Sequence, residues 1–166
     1  MPARSSRARS AGVKMPLSPT ISRSRGISGA SASLEQALLL APERIDINVL
    51  KGELLLAEGE TDAALAIALR LQEAHPESPE GDILAGRTLM AQQQPEAAIA
   101  AYEQAVAKSA ARGPMMKLQA AYRQIGNAAK ADVILRNWLS AHANDVPIRI
   151  MLATSMMQAD ELDLAE

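Results

Sequence analysis

The side chains able to carry acid–base, nucleophilic or metal chemistry are few and far apart. The 166-residue chain has two histidines, His75 and His142, and no cysteine. Without cysteine there is no thiolate nucleophile, no thiolate metal site and no disulfide. Each histidine closes an apolar-periodic stretch just before a turn, where a charged imidazole favours the C-terminal end of a helix. No HExxH, GxSxG or glycine-rich phosphate loop occurs. The 19 carboxylates scatter over positions that helical spacing puts on outer faces, so no pair is poised for general acid–base work. No catalytic, cofactor-binding or metal-ligating residue follows, and the expectation is a protein that is not an enzyme. Met90, Met115, Met116, Met151, Met156 and Met157 are soft, adaptable side chains. They suit a helical core, or alternatively a pliable binding surface.

The elements that would carry such a surface are clearest in the stretch Pro79 to Arg112. Ile83, Leu84, Gly86, Leu89 and Met90 recur at helical spacing, as do Ala98, Ile99, Tyr102, Ala105 and Val106. Gln94-Pro95-Glu96 separates the two sets, and proline suits the first turn of a new helix. Ser78-Pro79-Glu80 opens the stretch by the same device, with Ser78 as the expected N-cap. The stretch is a helical hairpin of 34 residues.

The hairpin recurs. Gly86 matches Gly52, and Leu89 matches Leu55, Tyr122 and Met156. Ala64, Ala98, Ala131 and Ala165 follow at spacings of 34, 33 and 34, and Pro42 and Pro76 are 34 apart. A fixed period of this length marks an array of helical repeats. The expected architecture is all-α, an α-solenoid of antiparallel helix pairs in a right-handed superhelix without strands. A half repeat at 34–44 precedes full repeats at 45–78, 79–112 and 112–145, and a truncated repeat at 146–166 closes the count. The expected helices of that last repeat are Ile148 to Ala159 and a second starting at Leu162. The aromatic residues Tyr102, Tyr122 and Trp138 fall on positions that face another helix.

A small residue at the eighth position (Gly52, Gly86, Ala153), a large one at the eleventh and alanine at the twentieth resemble the tetratricopeptide repeat, over about Leu34 to Glu166. The fourth position departs from the usual apolar residue, being Asn48, Asp82 and Arg149, and Lys51 stands at a usually apolar seventh. Those departures predict rotated or loosely packed helix faces. The resemblance implies a concave groove lined by the first helices. Its fifth positions are Val49, Ile83, Met116 and Ile150. The ninth are Glu53, Arg87, Ala120 and Thr154, and the twelfth are Leu56, Met90, Arg123 and Met157. Such a groove is largely apolar with isolated charges, and implies a protein or peptide partner. Chaperone-binding members hold a peptide carboxylate with lysine at the fifth position and asparagine at the ninth; neither stands here.

A narrower resemblance rests on two strings. Leu71-Gln72, His75-Pro76, Ser78-Pro79 and Gly81 form one. Trp138-Leu139, His142, Asp145, Arg149 and Leu152-Ala153 form the other. Both are similar to the long tetratricopeptide lipoprotein of the bacterial PEP-CTERM/exosortase system, which implies a role in exopolysaccharide production and sorting at the cell envelope. The family is anchored through an N-terminal cysteine that this chain lacks, so the resemblance implies an internal fragment or a decayed copy.

Residues 1–33 are different material. Arg4, Arg7, Arg9, Lys14, Arg23 and Arg25 stand there without an acid, leaving 11 bases and 19 acids for residues 34–166. Lacking periodicity and apolar content, this head is expected to be disordered. It has the composition of an organelle transit peptide, of a basic arm for nucleic acid or anionic lipid, or of a plain extension, the reading preferred here, with no nucleic-acid partner expected. No run approaches the roughly 20 apolar residues of a membrane span. As the sequence stands the chain reads as cytoplasmic, or as envelope-located if it belongs to the lipoprotein. The expected function is a non-catalytic interaction scaffold, with self-association through uncapped ends. The alternatives are a general cytoplasmic adaptor and a helical regulatory piece of a larger enzyme.

Overall fold

The computed structural model describes residue 29 and residues 32–163, with side chains to residue 158. Nearly all of the basic head lies outside these residues, and so does Ala165. The described residues form eight helices and no strand: α1 (32–40), α2 (Ile45–Glu58), α3 (Thr61–Ala74), α4 (Glu80–Ala91), α5 (Pro95–Lys108), α6 (Arg112–Gln124), α7 (Ala128–Ala141) and α8 (Val146–Asp163). From α2 onward each helix packs on the next, and α2 also packs on α4. The result is an α-solenoid of about three and a half to four repeats.

One device makes each hairpin turn. The fifteenth residue of each full repeat takes the left-handed conformation: Gly59 (φ 87°), Gln93 (φ 61°) and Gly126 (φ 76°). The next N–H then reaches back to the eleventh-position carbonyl: Glu60 to Leu55 at 2.8 Å, Gln94 to Leu89 at 2.9 Å, Asn127 to Tyr122 at 2.9 Å. This closes the otherwise unpaired carbonyls of the helix end. Pro95 then opens α5, and the Asn127 side chain accepts from the Lys130 N–H to cap α7.

Close approach between helices is set by the eighth-position glycines. A Cβ on Gly52 would stand 2.4 Å from Leu84 Cδ2, and one on Gly86 would stand 2.4 Å from Tyr102 Cε1. The first hollow is filled by the next hairpin, the second by its own second helix. Ile67, Ala68, Leu71, Leu84 and Ala85 form one core cluster; Ile99, Tyr102, Leu118, Ala121 and Tyr122 belong to the next. Met115, Leu135 and Ile148 make the third. Tyr102 and Tyr122 are buried and Trp138 half-buried, as their repeat positions predict.

Four expectations are corrected. Two of the three polar fourth-position residues pack inside rather than loosening their helices, while the third, Arg149, is exposed. Asn48 and Asp82 are buried and satisfied in place. Asn48 Nδ2 donates to the carbonyls of Pro42 (2.8 Å) and Arg44 (2.9 Å). Asp82 accepts from Gln72 Nε2 at 2.8 Å and pairs with Lys108 Nζ at 2.6 Å. Asp82 therefore also departs from the expectation that every acid lies on an outer face. The last repeat has no turn before Leu162. α8 runs unbroken through Asp160, the residue at the position where Gly59, Gln93 and Gly126 turn the earlier hairpins. Finally, α4 begins at Glu80, and Ser78 Oγ accepts from the Glu80 N–H at a long 3.4 Å.

Candidate binding groove

The first helices α2, α4 and α6 present their outward faces side by side, because the glycine-set contacts hold α2 and α4 close and the short turns send every second helix to the opposite layer. Two adjoining depressions run along this face. The first, about 260 Å³, is walled by Val49 and Glu53 of α2, Glu80, Ile83 and Arg87 of α4, and Pro114 and Lys117 of α6. The second, about 290 Å³, is walled by Arg87, Met90, Tyr102, Lys117, Ala120 and Gln124. Arg87 and Lys117 stand in both, at the divide.

Arg87 Nη1 pairs with Glu53 Oε1, and both side chains remain about two-fifths exposed, so the pair is open to exchange with a ligand and worth little to stability. Burial pushes the Tyr102 phenol up to about 12, with Arg87 pulling partly back. Tyr102 is therefore a neutral hydrogen-bonding group at neutral pH. The Tyr122 phenol is also raised, chiefly by its hydrogen bond to Glu103 (2.8 Å) and then by burial. Among the described residues no three His, Cys, Asp or Glu side chains gather to hold a metal ion. The arrangement offers a guanidinium, an ammonium and a phenol over an apolar floor, which can bind but has no nucleophile with a base beside it.

Of the residues expected to line a groove, Val49, Glu53, Ile83, Arg87 and Met90 come together in these depressions. Leu56 and Met116 line neither depression; they are half-buried against the cores, as Val49 and Met90 also are. Ile150 and Met157 stand open to solvent on α8 at 61% and 64% exposure. Arg123 reaches across to α8, donating to Ser155 Oγ (3.2 Å) and Gln158 Oε1 (3.3 Å). Lys117, Glu80 and Gly113 were not singled out by sequence. Glu80 and Gly113 hold the second position of their repeats. Lys117, at the sixth, is shown only by packing. His75 and His142 do cap helices: their N–H groups close α3 on Leu71 and α7 on Trp138, each at 2.9 Å.

Two models described as tetratricopeptide repeat match the chain, over residues 27–88 and 83–136. The chain belongs to the tetratricopeptide repeat family. Solved tetratricopeptide repeat structures share its fold. A thermophilic member from Thermus thermophilus, TTC0263, superposes with a TM-score of 0.69 at 15% identity, covering 83% of this chain and 77% of that one. YrrB, described as having an unusual peptide-binding site, gives 0.59 at 18%, covering 80% and 69%. The first such domain of Spaghetti (RPAP3), bound to the HSP90 peptide SRMEEVD, gives 0.57 at 15%, covering 70% and 94%. No curated protein matches the chain. The repeat family is typically a scaffold for protein interactions, and no helix among the described residues is long and apolar enough to cross a membrane.

Proposed function

We propose that this tetratricopeptide repeat chain is a non-catalytic scaffold that holds a protein or peptide segment along the face of α2, α4 and α6. The observation that carries the reading is the pair of adjoining depressions divided by Arg87 and Lys117 over Val49, Ile83, Pro114, Met90 and Ala120. An extended segment laid there would bury apolar side chains on both sides and meet cations at the divide. The peptide-binding site in YrrB and the peptide on Spaghetti support this use of the fold. Selection from a displayed random-peptide library tests it. Enriched peptides should lose binding to Arg87→Glu and Ile83→Glu variants that keep the wild-type melting temperature. Enriched peptides indifferent to both changes would place the binding surface elsewhere.

The finer setting we infer is the bacterial PEP-CTERM/exosortase system, on the two strings around His75-Pro76 and Trp138-Leu139. Exosortase and polysaccharide genes beside the coding region, with loss of exopolysaccharide on deletion, are the expected result. Unrelated neighbours and unchanged output would leave a general adaptor. Self-association belongs to the same reading. Val146, Ile150, Met156 and Met157 expose an apolar strip on α8 of the kind that favours contact, which sedimentation across a concentration series would show.

A further inference from the structure

The repeats share a second node, away from the groove. It lies where the loop entering a first helix, the fourth residue of that helix and the last turn of its second helix meet. In the first hairpin the node holds Asn48, Leu71, Ala74 and His75; in the third it holds Met115, Trp138, Ala141 and His142. In the second hairpin the corresponding residues are Asp82, Ala105, Lys108 and Ser109. There the long Lys108 side chain lies along the node and pairs with buried Asp82 at 2.6 Å. Where alanine replaces that lysine, at Ala74 and Ala141, the node is an open cleft.

The two open clefts differ in chemistry. The first is polar, edged by Glu43, Arg70 and Glu73, and Asn48 turns its amide to the Pro42 and Arg44 carbonyls. The third is apolar, about 380 Å³, floored by Val106, Met115, Leu118, Ile134 and Trp138, with Ser109, Asn137 and His142 at its rim. No acid or base other than His142 lines it, and it shares no residue with the groove. Its aromatic wall is fixed. Trp138 Nε1 donates to Asp145 Oδ2 at 2.9 Å, and the His142 ring stacks on the indole at 3.9 Å between centroids.

We propose that the cleft between α5, α6 and α7 is a second docking site, and that it takes one long apolar side chain, leucine, methionine or phenylalanine, from a partner protein. The second hairpin shows what fills a node of this shape: a single long side chain entering beside the fourth residue. The exchange of Asp82 for Met115 removes the carboxylate that selects a lysine there, so the occupant of the third node is apolar. The inference stands apart from the groove and does not need it.

Trp138 is the only tryptophan, so its fluorescence reads this cleft alone. The full chain is titrated with N-acetyl-leucinamide, N-acetyl-methioninamide and, as a control, N-acetyl-lysinamide, with the indole N–H followed by NMR. Burying one such side chain predicts a Kd of roughly 10 mM. The expected result is a saturable emission shift with the two apolar probes and none with the lysine probe. Ala141→Met, which supplies its own side chain to the cleft, should abolish the shift, while Ala74→Met should not. Absence of saturable change in the wild-type chain, or an equal response to the lysine probe, overturns the proposal. If Ala141→Met fails to fold, the wild-type shift map decides. Shifts confined to residues around Trp138, Met115 and Val106 uphold the proposal; shifts centred on Ile83 and Met90 refute it.

Discussion

Gly86 and Tyr102 meet with no room between them: a Cβ on Gly86 would lie 2.4 to 2.8 Å from three atoms of the Tyr102 ring. The ring lies against bare helix backbone, and α4 and α5 are as close as that contact allows. Alanine at 86 would improve helix propensity by about 1 kcal/mol but overpack a rigid ring, which costs about 1–3 kcal/mol. Gly86→Ala should therefore lose stability. Gly113→Ala, where an added Cβ meets nothing within 4 Å beyond its chain neighbours, should cost less, since only the proline that follows restricts it. Urea unfolding of both variants checks the order; a more stable Gly86→Ala would show that the ring yields.

The same burial gives Tyr102 a pH signature. Its phenol is raised by burial from the ordinary value of 10.0 to about 12. A raised folded value means that the contribution is fully present below pH 10 and is lost as pH climbs through about 12. The loss amounts to about 2 kcal/mol for a shift of this size. Other groups titrate in that window, so the readout is a difference. Tyr102→Phe should lose less stability between pH 9.5 and about 12 than the wild-type chain. Parallel curves for the two proteins would deny the shift.

Gln93 is the one non-glycine among the described residues with a positive φ, at 61°. It does the work of Gly59 and Gly126 with a side chain that the left-handed region disfavours by roughly 1–2 kcal/mol. Gln93→Gly should raise the melting temperature, with a gain of about 1 kcal/mol after the added entropy of the unfolded chain. Gly126→Gln should do the reverse. A neutral Gln93→Gly would mean that the turn is held by other contacts.

The helical period was legible in the chain because each hairpin buries the same positions, and the spacing of Ala64, Ala98 and Ala131 is that burial written in sequence. The eighth-position glycines announced close contacts, although not which neighbour fills each hollow. Leu84 comes from the next repeat and Tyr102 from the same one, a difference that follows from Ala68 being too small to do what Tyr102 does. Less legible were the polar residues at the fourth position. Asn48 and Asp82 look like breaks in an apolar face, and only their partners in other segments, Pro42, Gln72 and Lys108, show them to be satisfied. The groove was half legible for the same reason. Ile83 and Arg87 follow from repeat position, whereas Met116 and Leu56, at the fifth and twelfth positions, lie outside the two depressions. The left-handed Gln93 gave no sign beyond its alignment with Gly59.

Asp82 and Lys108 carry the last prediction. Their side chains are 4% and 22% exposed, and Gln72 holds the second carboxylate oxygen. A pair this far from water is costly to break from one side, because the remaining charge keeps its desolvation without its attraction. Lys108→Ala leaves Asp82 buried with only Gln72, and should cost about 2–4 kcal/mol. Removing both charges is a different matter. Asp82→Met with Lys108→Ala recreates the Met115 and Ala141 combination that the third hairpin already accommodates, while half-buried Gln72 turns to water. The double variant should therefore be more stable than Lys108→Ala, with a coupling of at least about 1 kcal/mol in the thermodynamic cycle. Strictly additive losses would mean that the two charges do not feel one another, and that the close approach of Nζ to the carboxylate contributes nothing to holding α5 against α4.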